Sequence, residues 1–299
     1  MTEYPKNNTI NLKEHYAILK HLLKWTVLII PIALVIGSSI AFFLWLLHAA
    51  IHFRFAHFWL LFLLPLAGLL IHFIYQSIGK SSEKGNNLIM EQIHEAGGGV
   101  PKRMAPLILI TTVITHLFGG SAGREGTAVQ IGGSIASMFG SWFKLKEQDM
   151  RMILTAGVAA GFGAVFGTPL TGAIFAIEVL TIGKLQYDAL IPALIAAIVG
   201  DMTVAAWHVS HVHYHIDILP AYAPLMVSNL FHFDLLLLVK VIVASVAFGL
   251  ASYLFAGMVH EIKTICLKIF KYKCMIPVFG GLVIIVLYFL NVKTDYLSF

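Results

Sequence analysis

The stretch "HLFGGSAGREGTAVQIGGS", residues 116–134, decides how the chain is read. It sets Arg124 and Glu125 side by side, bracketed by Gly123 and Gly126, between apolar segments with helical character. An ionised carboxylate at membrane depth is expensive unless something satisfies it. The helical character of Thr127 to Phe139 puts Glu125 at or just before a helix N-terminus. Unpaired backbone N–H groups and the positive dipole end favour an anion there, and glycine lets the backbone approach an ion closely. The same place suits the Glu125 carboxylate or a free anion, and one can displace the other. A carboxylate that competes with an anion and also takes a proton is a minimal coupling device. A plainer reading stands beside this one: the glycines pack helices closely, and Arg124 and Glu125 form a structural ion pair in a loop.

Working outward, the surroundings are those of a membrane protein. The chain has 299 residues, 59% hydrophobic and 12% charged, with a mean hydropathy of +0.85; a soluble domain carries about 25% charged residues. Apolar runs recur at Trp25–Ala50, Phe58–Tyr75, Pro106–Thr115, Ala173–Leu180, Leu190–Gly200, Leu235–Val259 and Met275–Asn291. Several reach the roughly 20 residues that a spanning helix needs. The fold class expected is therefore all-α and polytopic, embedded in a lipid bilayer. The formal net charge of +5 is no nucleic-acid signature, because its positives sit in short connections such as Lys102–Arg103 and Lys144–Lys146, where they set membrane orientation. The basic, polar segment 1–24 lacks an early apolar core with a cleavage site, so it reads as a cytoplasmic tail and not as a signal peptide. Cys266 and Cys274 have neither metal nor redox spacing and read as buried apolar fillers.

The apolar segments are uneven. Trp25–His52 is long enough to cross at a tilt, whereas Met104–Leu117, Thr127–Phe139 and Thr171–Thr181 are short, with glycine or proline at their junctions. Short, broken helices need protein or a water-lined cavity around their ends, the pattern of transporters with a site at the midplane. An internal repeat points the same way. Gly37, His48, Pro65 and Gly68 recur as Gly249, His260, Pro277 and Gly280, at a constant offset of 212 (249 − 37 and 277 − 65). The organisation expected is a tail at 1–24, a first membrane repeat at 25–206, a connector at 207–229 and the start of a second repeat at 230–299. Aligned on the first, the second repeat stops early, and the ending "NVKTDYLSF" carries no helix stop or polar tail. Both observations predict a fragment of a longer protein, unless the repeat itself is coincidental.

These residues resemble the CLC family of chloride channels and proton-coupled anion exchangers. "GREGTAVQIGGS" is similar to the family's GREGP segment, "AAGFGAVFGTPLTGAIFAIEVL" (159–180) to its next helix pair, and "KGNNLI" (84–89) sits where the family has GSGIP. The likeness covers roughly residues 25 to 299. It implies a CLC-type inverted-repeat fold with short re-entrant and tilted helices, the second repeat incomplete here. It also implies homodimers in which each subunit has its own pathway, helix N-termini converging on the anion, and Glu125 as the gating and proton-carrying residue. No nucleophile–base pair or metal framework supports an enzyme, and no cofactor is expected. The family's anion-contacting Tyr, and an extra Glu of the fluoride branch, belong to the second half and have no counterpart in this chain. The chain alone is accordingly expected to transport poorly.

Departures from the family pattern share a direction. Asn86, followed by Asn87, stands where the family's serine donates a hydroxyl to chloride; a carboxamide N–H suits a small, hard, strongly hydrated anion. Thr127 replaces the proline after GREG, and Val179 replaces a second, inner-side Glu after Glu178. These changes resemble the family's fluoride branch, which exchanges fluoride for protons. Fluoride is the conjugate base of a weak acid, so neutral HF crosses a bilayer, dissociates inside and must be expelled. The resemblance implies anion contacts from Asn86, Asn87, Gly123, Arg124, Gly126 and Thr127, and structural roles for Gly167, Pro169 and Glu178, the last hydrogen-bonded. Asn86 also suits the plainer role of a polar helix cap. Chloride transport, by channel or by exchange, and an inactive fragment are the alternatives.

Other clusters have bland readings. His208, His211, His213 and His215, with Asp217, have spacings compatible with a transition metal, but read as a solvated connector. Glu91, His94 and Glu95 fall at i, i+3 and i+4 on a predicted helix and read as a polar face at a pathway mouth. Phe162 and Phe166 read as packing. "EAGGGVPK" (95–102) lacks the Gly-Lys-Ser/Thr ending of a phosphate loop. No metal, cofactor or enzyme framework is expected.

Overall fold

A computed structural model of the protein describes residues 12–94, 99–178, 187–209 and 235–290. The described helices are α1 (Leu12–Ala56), α2 (Leu64–Ser77), α3 (Asn86–His94), α4 (Met104–Leu117), α5 (Arg124–Trp142), α6 (Glu147–Phe166), α7 (Pro169–Glu178), α8 (Leu190–Ala206), α9 (Leu235–Ile269) and α10 (Met275–Leu290). Short 3₁₀ turns at Phe58–Leu63, Lys80–Ser82 and Tyr187–Ala189 lie between them, and no strand occurs among the described residues. Leu22–Ala56, Phe58–Ser77, Glu147–Phe166 and Leu238–Ile269 are long and apolar enough to cross a membrane.

By contacts the chain divides into Met1–His211 with Gly280–Phe299, and Val212–Phe279. The first unit carries the site. Its core is formed by one stripe of α1 (Trp25, Ile29, Ile36, Ile40, Phe43) against α4, α5, α6 and α8. Small residues let these helices approach closely, the usual device where lipid offers no hydrophobic drive to pack. Gly132 of α5 meets Gly157 of α6 backbone to backbone, and Gly161 of α6 meets the Ala128 carbonyl. On the far side of α6, a Cβ on Gly172 would lie 2.7 Å from the Gly163 nitrogen, and one on Gly37 of α1 would lie 2.7 Å from the Gly200 carbonyl of α8. In the second unit the side chains described on α9 are mostly exposed apolar groups. Cys266 is half-buried on α9, as is Cys274 in the turn before α10, so neither is the fully buried filler expected.

Helix ends in the first unit explain how the chain enters the site. The "LFGG" of the opening stretch ends α4 as a Schellman motif. Gly119 sits at φ +84°, its N–H bonds the His116 carbonyl at 3.0 Å, and the Gly120 N–H bonds Thr115 at 2.8 Å. A side chain at Gly119 would strike Leu61, at 2.8 Å, so glycine is required there for both conformation and space. α6 ends at Gly167, left-handed at φ 71°, with its N–H on the Gly163 carbonyl at 2.9 Å. Pro169 then opens α7, the glycine-stop and proline-start asymmetry that chain sterics favour. His208, just past the Trp207 cap of α8, is left-handed (φ 56°) and exposed. His211, His213, His215 and Asp217 lie outside the described residues.

Two sequence expectations are extended here. α1 begins at Leu12, not Trp25, because residues 12–24 contain no glycine or proline to stop a helix as polarity rises. α5 begins at Arg124, not Thr127: the N–H groups of its first turn have no intrahelical acceptors, so glycine and charge are tolerated there.

Candidate anion site at the tip of α5

Gly123 is the N-cap of α5, in extended conformation (φ −68°, ψ 126°), which makes Glu125 the second helical residue. The amides of Gly123, Arg124, Glu125 and Gly126 are left without intrahelical acceptors, and the Thr127 amide is the first used inside the helix. The Glu125 carboxylate folds back over the cap, with Oε2 2.6 Å from where a Cβ on Gly123 would stand. Glycine at 123 is what leaves room for that conformation. Glu125 is therefore at the helix tip, as the sequence implied, but its side chain is exposed in this chain, not enclosed: the packed body begins at Thr127.

No Arg124–Glu125 ion pair forms. Among the described residues the salt bridges join Lys24 to Asp149 and Lys84 to Glu91. The Arg124 guanidinium lies over the ring of Phe166 at 5.9 Å, a cation–π distance. Phe166 in turn packs on Phe162, which stacks on Phe175 with centroids 4.1 Å apart. The plain ion-pair reading of this dipeptide is thereby set aside, while the packing reading of the phenylalanines holds.

α3 brings a second N-terminus to the same place. Asn86 is its first residue, and its Nδ2 lies 3.1 Å from where a Cβ on Gly126 would be. The carboxamide makes no hydrogen bond to another described residue, so it is not spent on capping. Asn87 is also exposed; its backbone N–H bonds the Lys84 carbonyl at 3.2 Å. Of the two asparagines, Asn86 is the one whose amide group lies against α5.

One stripe of α5 holds α3 in register. A Cβ on Gly85 (φ +57°) would lie 3.4 Å from Nε2 of Gln130, and Ile89 reaches the face of Gly133, 2.9 Å from its Cβ position. Further along, Ser134 donates to the Pro101 carbonyl at 2.9 Å, and Val100 N–H donates to Ser137 Oγ at 2.8 Å. Residues 126, 130, 133 and 137 share one face at helical spacing. Gln130, buried at 8% exposure, belongs to this seam and was not singled out from sequence. Its signal was the i+4 step from Gly126.

Thr127 departs from the anion-contact expectation. It is 2% exposed; its hydroxyl pairs with Thr112 at 2.8 Å and reaches the Gly123 carbonyl at 3.3 Å. With its amide used inside the helix, it braces the tip instead of lining it. Glu178, the last residue of α7, is exposed and makes no hydrogen bond to another described residue; Val179 lies outside the described residues. Glu91 pairs with Lys84 at 2.8 Å, His94 Nδ1 bonds the Met90 carbonyl at 2.8 Å, and Glu95 is not described. No three-residue metal cluster occurs among the described residues.

The arrangement is a carboxylate, a carboxamide and free amides gathered where two helices begin. Residues 67–297 match the model of the voltage-gated chloride channel family. The chain belongs to that family. It is 43% identical over 274 residues to a chloride/fluoride channel protein of Pseudomonas syringae pv. tomato, covering 91% of this chain and 58% of that relative. The crystal structure of a CLC-type fluoride/proton antiporter is similar at 32% identity with a TM-score of 0.82, over 91% of this chain and 66% of that one. A slow cyanobacterial Cl⁻/H⁺ antiporter, at 18% identity and a TM-score of 0.72, shares the fold. The chain thus spans about three-fifths of that Pseudomonas relative, and as a CLC protein it is an all-α, polytopic membrane protein.

Proposed function

We propose that the protein carrying this chain is a halide transporter that exchanges fluoride for protons, exporting fluoride. The observation that carries the reading is the convergence of Glu125, folded over Gly123, and Asn86, set against Gly126, at one helix tip. Deprotonated, Glu125 occupies the tip in place of the anion, held by the dipole end and its free amides. Protonation removes the charge, the side chain leaves, and the anion takes the amides of Gly123, Arg124 and Gly126 with the Asn86 N–H. Relatives support the class: one is named a chloride/fluoride channel, one a fluoride/proton antiporter, and one, from Vibrio cholerae, an H(+)/Cl(−) exchange transporter.

Fluoride over chloride rests on Asn86. A small, strongly hydrated anion gives up more hydration and needs strong, directed N–H donors in exchange. The transporter works as a homodimer in the cell membrane, with the N-terminus cytoplasmic, and its partners are fluoride or chloride, the proton and the lipid bilayer. It carries no cofactor and performs no enzymatic step. The test is efflux from liposomes holding the complete protein, followed with fluoride and chloride electrodes. Fluoride efflux well above chloride is expected; comparable rates overturn the fluoride assignment. Glu125→Gln should abolish coupled proton movement, and coupling that persists unchanged removes Glu125 from the mechanism.

A further inference from the structure

Most helical Ser and Thr hydroxyls described here turn back on their own helix. Thr111 donates to the Leu107 carbonyl at 2.9 Å, Thr115 to Thr111 at 2.8 Å and Thr203 to Val199 at 2.6 Å. Thr112, between the first two on α4, does not. Its hydroxyl crosses to Thr127 on α5 at 2.8 Å, and both residues are nearly inaccessible, at 3% and 2% exposure. The direction of the pair follows from proton counting. Thr127 Oγ lies 3.3 Å from the Gly123 carbonyl, which can only accept. Thr127 has one hydroxyl proton to give, so it accepts from Thr112. The chain of donation runs Thr112, Thr127, Gly123.

Its two ends on α5 bracket the dipeptide and the glycine after it: Gly123 is the cap before Arg124, and Thr127 follows Gly126. α4 itself ends in the glycine motif that turns the chain toward Gly123, where Gly120 N–H bonds Thr115 at 2.8 Å. The hydroxyl pair therefore closes a ring made of the last turns of α4, the connection at residues 118–123 and the first turn of α5. Proline, where the family's pattern has it, offers no hydroxyl for this ring.

Resting on the transport reading above, we infer that Thr112 is a positioning residue: its bond to Thr127 holds the cap of α5 so that Glu125 leaves the tip only when protonated. Without the donor, Thr127 loses its tie to α4, the first turn of α5 is held less firmly, and an unprotonated Glu125 departs more often. Halide then slips through without a proton.

The experiment measures the halide-to-proton ratio of the complete protein in liposomes for Thr112→Val, Thr112→Ser and Glu125→Gln, in parallel with the wild type. Thr112→Val keeps the shape and removes the hydroxyl. It should raise the ratio about two- to tenfold, the factor carried by one ordinary hydrogen bond, and Thr112→Ser should restore it. A role in packing alone lowers the amount of folded protein and leaves the ratio fixed. A wild-type ratio in Thr112→Val, with Glu125→Gln uncoupled, overturns the latch and spares the gate. Unchanged coupling in Glu125→Gln overturns the gate and the latch together. Should Thr112→Val not fold, Thr127→Ser and Thr127→Val read the same contact from α5: a ratio kept by serine and raised by valine supports the latch, and a ratio moved by neither overturns it.

Discussion

The first turn of α5 and the rest of the same helix are built from opposite materials. From Thr127 to Ser137 every residue is buried, and the helix is pressed against α6 through Gly132, Gly157 and Gly161. From Gly123 to Gly126 the backbone amides are free, the charged residues are unpaired with each other, and Glu125 and Gly123 are exposed. An anion at the tip meets amides that the helix itself does not use, and the packed body holds them in place. The body supplies a rigid mount at some cost in side-chain variety, and the tip keeps the charged side chains and the free amides. Substitutions in the body should therefore change stability, and those at the tip should change transport.

We predict the largest effect in the body. Gly157→Leu drives a branched side chain into the Ala136 methyl and the Gly132 carbonyl, where even a Cβ has no room. Overpacking of this kind costs about 1–3 kcal/mol or more, and backbone contact places this site at the upper end. Loss of the monodisperse peak on size exclusion in detergent is the expected result. A variant that stays folded and transports at the wild-type rate breaks the distinction between shaft and tip.

Glu125→Gln tests the tip from the other side. The side chain is exposed and makes no ion pair with Arg124, so stability should stay within about 0.5 kcal/mol of wild type, read by thermal unfolding. Proton coupling should be lost outright. A large stability loss would mean that the carboxylate is a structural group and not a mobile one.

Ser137→Ala has an intermediate effect, because it lies in the body but serves the tip. The Ser137 hydroxyl accepts the Val100 N–H at 2.8 Å in a buried setting. Leaving that donor unsatisfied costs about 1–3 kcal/mol and frees Val100 from α5. A lowered unfolding midpoint should come with weaker halide binding by calorimetry. Loss of stability with unchanged affinity would show that the α3 N-terminus is held without this bond, by Gly85 on Gln130 and Ile89 on Gly133.

Much of this was legible in the sequence, and the failures have physical reasons. The bounds of α4 follow from Gly119 and Gly120 at one end and the basic pair at the other, since these residues leave a helix few alternatives. The tip at Glu125 was legible because glycine, charge and an apolar run rarely coincide without a broken helix. Its exposure was not: hydropathy reports the neighbours' preference for lipid, and cannot say that packing begins two residues later. Thr127 shows the limit most clearly. A motif aligns it with the anion contacts, but its hydroxyl is claimed by Thr112 on another helix, and such a partner has no fixed spacing to be read from. Gln130 was missed for the same reason, although its place on the face of Gly126 and Gly133 was open to a periodicity argument.

Asn86→Ser has the smallest expected effect and the sharpest bearing on substrate. Asn86 is exposed and bonds no other described residue, so stability should move by less than about 0.5 kcal/mol. What changes is the donor: a hydroxyl is shorter than a carboxamide and no longer reaches the face of Gly126. The loss of one directed N–H to the anion is worth about 1 kcal/mol, a fivefold change or so in fluoride-to-chloride preference measured by paired electrodes. A small anion suffers more from that loss than a large one, because it relies on fewer and closer donors. If preference shifts while the proton ratio holds, then α3 chooses the ion and α5 couples it. If both shift together, Asn86 and Glu125 act as one group, and the division of labour between the two helix starts disappears.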